Sequence, residues 1–329
     1  MSEYSTAFNA IWKGRIDTDE LPELACRLHQ QIQPLTAGTT AETSDSVAII
    51  GFCSDAGVRR NQGRVGARRA PDLLRRSLAN LPWTLTRPVW DAGNVVCEGD
   101  ELDAAHQALA DQVSECLSAG HFPFVLGGGH EVAYGSWLGL SHYLQAQSGV
   151  SGNPPRIGII NFDAHFDLRP DSSGASSGTP FYQIAQQCQA NNWPFQYCCL
   201  GVSEMSNTAA LFHRADQLNV TYRKDSELDI TRLNETQALL QQFMADCDQL
   251  YLTIDLDVLP AAVAPGVSAP ATRGVGLEIL EPLIATVVAS GKLKLADVAE
   301  YNPEFDIDNR TARVAARLFH SIVKRGEEK

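Results

Sequence analysis

The chain has 329 residues, 44% of them hydrophobic, with a formal net charge of −13. That length and apolar content support a large buried core, in one large domain or two smaller ones, and no apolar run approaches the ~18 residues a membrane helix needs. The negative field repels phosphate backbones and anionic lipid, which argues against nucleic acid and membrane partners and for a soluble metabolic protein acting on a small molecule. The N-terminus, MSEYSTAFNAIWK, has an early acidic residue and no long apolar segment, so it does not read as a secretory signal. Eight cysteines form no CxxC pair, and Cys198 and Cys199 are adjacent, which predicts reduced thiols and a cytoplasmic location.

In chain order, residues 1–45 read as an N-terminal arm and residues 46–329 as a single catalytic domain, since no linker divides them. Short β-rich apolar runs recur at 47–52, 89–90, 122–126, 157–162, 197–200, 220–222, 250–254 and 293–298. The connections are mostly long enough for helices, and several have helical period. Residues 102–117 place Leu102, Ala105, Leu109, Val113, Cys116 and Leu117 on one stripe, and residues 234–244 do so with Ala238, Leu239, Leu240 and Phe243. A last helix over 309–324 carries Ala312, Val314, Ala315, Leu318 and Ile322. Alternating strand and helix predicts an α/β fold with a mainly parallel sheet. Runs apolar on both faces, such as IGII, need cover on both sides, which is the three-layer α/β/α arrangement. Ligands of such sheets bind outside the carboxyl ends of the strands. There the sequence places Ser54 and Asp55, then His130, then Asp163, His165 and Asp167, then Asp255 and Asp257, and finally Glu300.

Residues 157–169, IGIINFDAHFDLR, end an apolar run in Asp163, His165 and Asp167, spaced two apart so that an extended strand would turn all three to one face. Residues 250–254 lead in the same way into Asp255 and Asp257. Gly127-Gly128-Gly129-His130-Glu131 follows a third run, and its glycines predict unusual backbone angles that deliver His130 to the sheet edge. A phosphate loop is the other use of such a turn, but the GKS/T ending and the GxGxxG spacing are both missing. Taken singly, His130 fits a core histidine, and a DxD pair fits a solvated loop or a magnesium–phosphate site. As a set, four carboxylates at buried strand ends repel one another unless a cation or protons neutralise them. Four carboxylates with two imidazoles exceed the needs of one ion and suit two ions sharing bridging carboxylates, and oxygen-rich ligation without thiolate favours manganese over zinc. Two ions ~3.5–4 Å apart can hold a hydroxide nucleophile at neutral pH. Glu300 is either an ordinary carboxylate at a strand end or a partner for a cationic substrate group opposite the metals. The stretch 170–180, PDSSGASSGTP, reads as an active-site loop.

GGGHE at 127–131, DAHFD at 163–167, TIDLDVLPAAVAPGVSAP at 253–270 and VAEYNP at 298–303 resemble the signatures of the ureohydrolase family: arginases, agmatinases and formimidoylglutamases. The resemblance runs over residues 47–317 and implies an eight-stranded parallel sheet flanked by helices, with a binuclear manganese centre. By motif it assigns one ion to His130, Asp163, Asp167 and Asp255 and the other to Asp163, His165, Asp255 and Asp257, with Asp163 and Asp255 bridging. GGGHE stands where GGDHS is more usual in arginases and agmatinases, and SSGTPF lacks the proton-shuttle histidine that arginases carry in that loop. With IWKGRID at 11–17 and NQGRVGARRAP at 61–71, these departures are similar to the bacterial formimidoylglutamase branch. The implied reaction cleaves N-formimidoyl-L-glutamate to L-glutamate and formamide in histidine degradation. An agmatinase or other guanidino-compound amidinohydrolase releasing urea is the alternative, and a catalytically idle metal-binding relative is a third reading. Asp167 is then expected to relay a proton to the departing nitrogen, and Glu300 to hold the amidinium. Arg169, where arginases place a side chain near the substrate's α-carboxylate, is expected to pair with a substrate carboxylate. Arg64 and Thr179 are further substrate-binding candidates, with Arg60 and Arg273 behind them. Members of this family commonly form trimers or hexamers, so a homo-oligomer is expected.

Overall fold

The computed structural model describes residues 8–36, 45–148 and 154–324. Residues 1–7 and 37–44 of the expected arm therefore lie outside the described residues. In chain order the strands are β1 (Gln33–Pro34), β2 (Ser46–Cys53), β3 (Val89–Val96), β4 (His121–Leu126), β5 (Ile157–Phe162), β6 (Gln196–Val202), β7 (Thr221–Lys224), β8 (Gln249–Asp255) and β9 (Leu293–Ala299). All eight expected runs form strands. The sheet nevertheless has nine strands, ordered β1-β3-β2-β4-β9-β8-β5-β6-β7, and every neighbouring pair is parallel. The expected count of eight is corrected by β1, a two-residue strand too short to show any hydrophobic period. Gln33 and Pro34 lie opposite Trp90 and Asp91 at the outer edge of β3, where a proline without an N–H is tolerated.

The main helices are α1 (Ala70–Ala79), α2 (Leu102–Ser118), α3 (Val132–Ser148), α4 (Pro180–Ala190), α5 (Ala209–Gln217), α6 (Leu233–Ala245), α7 (Leu277–Ala289) and α8 (Arg310–Val323). Successive strand residues point to opposite faces, so one sheet feeds two cores. Val47, Ile49, Phe124, Ile160 and Leu252 pack with residues of α1, α6, α7 and α8. Ala48, Ile50, Val125, Ile159 and Tyr251 pack with residues of α2, α3, α4 and α5. This is the three-layer α/β/α arrangement expected from the doubly apolar strands.

The described part of the arm is tied to the domain. Leu28 and Ile32 join the core on the α1 side, and so does Trp12, whose Nε1–H donates to Asp91 Oδ2 at 2.6 Å. The same carboxylate accepts from Arg75 Nη2 at 2.8 Å and Nε at 3.0 Å. Among the described residues no helix is long and apolar enough to cross a membrane. For function, the important feature is the strand order. The adjacent central strands β4, β9, β8 and β5 are the ones whose carboxyl ends run into the His130 loop, Glu300, Asp255 with Asp257, and the residues 163–167.

Candidate metal centre

Strand alternation does not bring the ligand-type residues together as expected. β5 ends at Phe162, and the chain then turns: Asp163 Oδ1 accepts the His165 N–H at 2.6 Å, and Asp167 adopts a left-handed backbone with φ 47°. β8 ends at Asp255, whose Oδ1 accepts the Asp257 N–H at 2.8 Å within a 3₁₀ turn over Leu256–Val258. Short aspartate side chains thus build the turns that gather them, as Asx turns do. The glycine loop also works differently from expectation, because none of Gly127, Gly128 and Gly129 takes a positive φ. They are needed for close approach. A Cβ on Gly128 would lie 1.9 Å from the Ser54 carbonyl oxygen. Gly127 N–H donates to Val298 O at 2.8 Å, and Glu300 N–H to Gly128 O at 2.8 Å, which stitches the loop to the end of β9. Buried Glu131 secures the other side, where its Oε1 accepts from Ser54 Oγ at 2.8 Å and Gly57 N–H at 2.9 Å.

Within this frame His130 Nδ1 lies 3.0 Å from Asp163 Oδ2, 2.9 Å from Asp167 Oδ2 and 3.2 Å from Asp255 Oδ2. One ring nitrogen cannot satisfy three carboxylates with a single proton, whereas a cation among them could. Nε2 of the same ring is engaged with Thr253 Oγ1 at 3.0 Å, which leaves Nδ1 for ligation. Behind Thr253 lies the buried Asp297, which accepts from Tyr251 OH at 2.5 Å. His165 Nδ1 sits 3.1 Å from Asp257 Oδ2 and 3.5 Å from Asp163 Oδ1. Two clusters result, His130 with Asp163, Asp167 and Asp255, and His165 with Asp163 and Asp257; in each, one ligand atom per residue lies within 4.8 Å of the others. Asp163 belongs to both, and its two oxygens face different imidazoles. Asp255 joins the first cluster, with Oδ1 turned to the Asp257 backbone.

The electrostatics favour neutralisation of the cluster. Burial and the charge of Asp163 push Asp167 up to about 6. Burial with repulsion from Asp257 and Asp163 raises Asp255 well above the usual carboxylate range, and burial also raises Asp257. Asp163 is lowered instead, because its burial is outweighed by the hydrogen bonds and charges of His130 and His165 together. Burial would depress both imidazoles, yet the surrounding aspartates hold them well above their ordinary value. Protons or divalent cations would each relieve the carboxylate repulsion. The donor set fits such ions.

Glu300 closes the site. It is 4% exposed, with a left-handed backbone of φ 65°, a conformation rare for a residue of its size and concentrated at functional sites. Its Oε1 accepts the His130 N–H at 2.8 Å, while Oε2 has no partner among the described residues. Glu300 lines a cavity of about 310 Å³ together with His165, Asp167, Asp255 and Asp257. Arg169 also lines it, its backbone N–H held by Gly178 O at 2.8 Å and its exposed side chain in no ion pair among the described residues. Arg64 reaches the cavity wall but is committed elsewhere. Its Nε donates to Ser268 O at 2.9 Å, Nη2 donates to Val267 O, and the guanidinium lies 3.9 Å over the Phe305 ring. Thr179 is not brought to the cavity. Its hydroxyl is used within a turn, bonded to Ser176 and Gln183. Arg60 is spent on Asp100 and the Ala175 carbonyl, and Arg273 on the Asp225 carbonyl. The cavity also exposes short polar side chains that the sequence reading did not single out, Asn61, Ser177, Ser206, Asn207 and Ser268. Loop residues of this kind carry no periodicity, and only Asn61, Ser177 and Ser268 lay within the recognisable motifs and the 170–180 loop.

The Arginase family model matches residues 45–324. The chain is 56% identical to a formimidoylglutamase of Aeromonas salmonicida over 98% of its length and 100% of that protein. It is 52% identical to a formimidoylglutamase of Ralstonia nicotianae over 97% of its length and 96% of that protein. Among solved structures, Trypanosoma cruzi formiminoglutamase with manganese superposes with a TM-score of 0.74 at 25% identity, covering 87% of this chain and 95% of that one. Bacillus subtilis formimidoylglutamase shares the fold with a TM-score of 0.79 at 21% identity, covering 94% and 93%. The match extends from just before β2 to the end of α8 and includes every residue of the two acid–imidazole clusters, so the chain belongs to the arginase family.

Proposed function

We propose that this chain is a binuclear manganese hydrolase that cleaves N-formimidoyl-L-glutamate to L-glutamate and formamide, a reaction of histidine degradation. The observation that carries the reading is the pair of clusters sharing Asp163 beside a cavity lined by Glu300, whose buried Oε2 has no hydrogen-bond partner among the described residues, and by the unpaired Arg169. The Aeromonas and Ralstonia relatives support the substrate, and the manganese of the Trypanosoma structure supports the metal. His130, Asp163, Asp167 and Asp255 would hold one ion, and Asp163, His165, Asp255 and Asp257 the other. When bound, such a pair supplies Lewis acidity and lowers the pKa of water toward neutrality.

The chain's own residues do the rest. Glu300 Oε2 pairs with the formimidoyl amidinium and orients its carbon toward the clusters. Arg169 pairs with a carboxylate of the glutamate moiety, offsetting the repulsion expected from the overall charge of −13. Asp167 takes up a proton at its carboxylate and delivers it to the departing glutamate nitrogen. Agmatine has no carboxylate and arginine one, whereas formimidoylglutamate brings two carboxylates and a net negative charge, so the Arg169 cation favours the formimidoyl substrate over the urea-releasing alternative. A panel of formimidoylglutamate, agmatine and arginine on manganese-loaded protein tests it: formamide and glutamate are expected, and urea as the main product would favour the alternative. The reading extends to a cytoplasmic homo-oligomer. All eight cysteines are unpaired, which supports a reducing compartment; sedimentation checks the assembly.

A further inference from the structure

Asn161 is a fully buried amide in the otherwise apolar strand β5. An unsatisfied amide there would cost stability, so its bonds have to be accounted for. Nδ2 carries two hydrogens, one given to Asp163 Oδ2 at 3.0 Å and the other to Tyr197 Oη at 2.9 Å. Tyr197, on the neighbouring strand β6, donates its own hydroxyl proton to Phe166 O at 3.0 Å, so its oxygen is free to accept. Its ring stacks on Phe181 with centroids 4.4 Å apart, which fixes the hydroxyl in place. The opposite amide orientation would set Asn161 Oδ1 against a carboxylate that can only accept, so Asp163 fixes the flip. Oδ1 itself is left without a partner among the described residues. A residue selected only for stability at this position would be apolar.

We propose that Asn161 and Tyr197 are positioning residues that set the Asp163 carboxylate to bridge the two ions; this rests on the metal-centre reading above. Each Asp163 oxygen accepts one N–H from the chain, Oδ2 from Asn161 and Oδ1 from His165. One lone pair then remains on each oxygen, with Oδ2 3.0 Å from His130 Nδ1 in one cluster and Oδ1 3.5 Å from His165 Nδ1 in the other. Tyr197 extends the same control to the loop carrying these residues, whose carbonyls are taken up by side-chain donors. Ala164 O accepts from Asn207 Nδ2 at 2.9 Å, His165 O from Cys199 Sγ at 3.3 Å, Phe166 O from Tyr197, and Leu168 O from Arg214 Nη1 at 2.9 Å.

The test compares Asn161→Leu and Tyr197→Phe with the unaltered protein. It uses manganese content, manganese dissociation constants from chelator competition, and melting temperature of the metal-free forms. Outer partners of metal ligands typically carry a 10–100-fold effect on affinity, so Asn161→Leu is expected to weaken manganese binding by roughly that factor, with a smaller loss in Tyr197→Phe. The metal-free melting temperature should hold or rise, and KM for formimidoylglutamate at saturating manganese should be unchanged. A folded Asn161→Leu protein that binds manganese as tightly as the original would overturn the inference, as would a loss of affinity matched by an equal loss of metal-free stability. If Asn161→Leu does not fold, Tyr197→Phe decides on the same criteria. If the unaltered protein binds no manganese, the metal-centre reading fails first and this inference with it.

Discussion

Replacing Glu300 by glutamine separates the charge of this residue from its shape. The side chain is buried beside the cavity, Oε1 accepts from the His130 backbone, and Oε2 has no partner among the described residues. Glutamine keeps the acceptor for His130 N–H and puts an amide NH₂ where the amidinium donors would arrive, so donor faces donor and the charged bond is lost outright. A hydrogen bond to a charged group contributes about 1.5–3 kcal/mol, which corresponds to roughly a 10–150-fold fall in kcat/KM. Stability should move the other way. Burial, and then repulsion from Glu131, raises the Glu300 carboxyl well above its ordinary value, so a neutral amide relieves a penalty of the folded state. The measurements are steady-state kinetics on manganese-loaded protein and a thermal melt. A kcat/KM within about threefold of the original, in a variant that melts no lower, would remove Glu300 from substrate binding.

Arg169→Ala should raise KM for formimidoylglutamate by up to about 3 kcal/mol of lost interaction while leaving the melting temperature unchanged, because the side chain is exposed and unpaired; an unaltered KM contradicts its role. Gly128→Ala should destabilise by about 3 kcal/mol or more, since the new Cβ meets the Ser54 backbone rather than a movable side chain, and denaturant unfolding measures it. The metal-free protein should lose stability as pH rises. Burial raises Asp167 to about 6 and raises Asp255 and Asp257, while carboxylates hold His130 and His165 up against their own burial. Each of these groups binds its proton more tightly folded than unfolded, so the stability they contribute is fully present below the unfolded values, near ~4 for the carboxylates and ~6.5 for the imidazoles, and is lost as pH rises through the folded ones. Asp163, which is lowered, acts in the opposite sense and only at more acid pH. Manganese replaces the protons, so the gap between metal-loaded and metal-free melting temperatures should widen from about pH 5 to about pH 8; a constant gap would contradict the linkage.

The sheet and its cover were legible because the strands are continuous apolar runs and the helices hold a 3.6-residue period, both local properties. β1 was not legible, since two residues show no period and its pairing depends on an open edge of β3. The acid and imidazole residues were legible from type and place, but the way they meet was not. Alternation suggested one strand face, whereas Asx turns and the left-handed backbones of Asp167 and Glu300 do the work, and the glycines serve approach rather than torsion. Arg64 and Thr179 show where local reading stops. Arg64 is taken up by carbonyls more than two hundred positions away and Thr179 by its own turn, neither of which a motif reveals. The support behind Asp163 joins Asn161 to Tyr197 across 36 positions, a distance set by the β5–β6 register alone.

Anomalous diffraction at the manganese edge, from crystals grown with excess manganese, tests the central claim most directly. Two peaks per chain are expected, one among His130, Asp163, Asp167 and Asp255 and one beside His165 and Asp257, both in contact with Asp163. No peak there, a single peak, or two that do not share Asp163 would contradict the account.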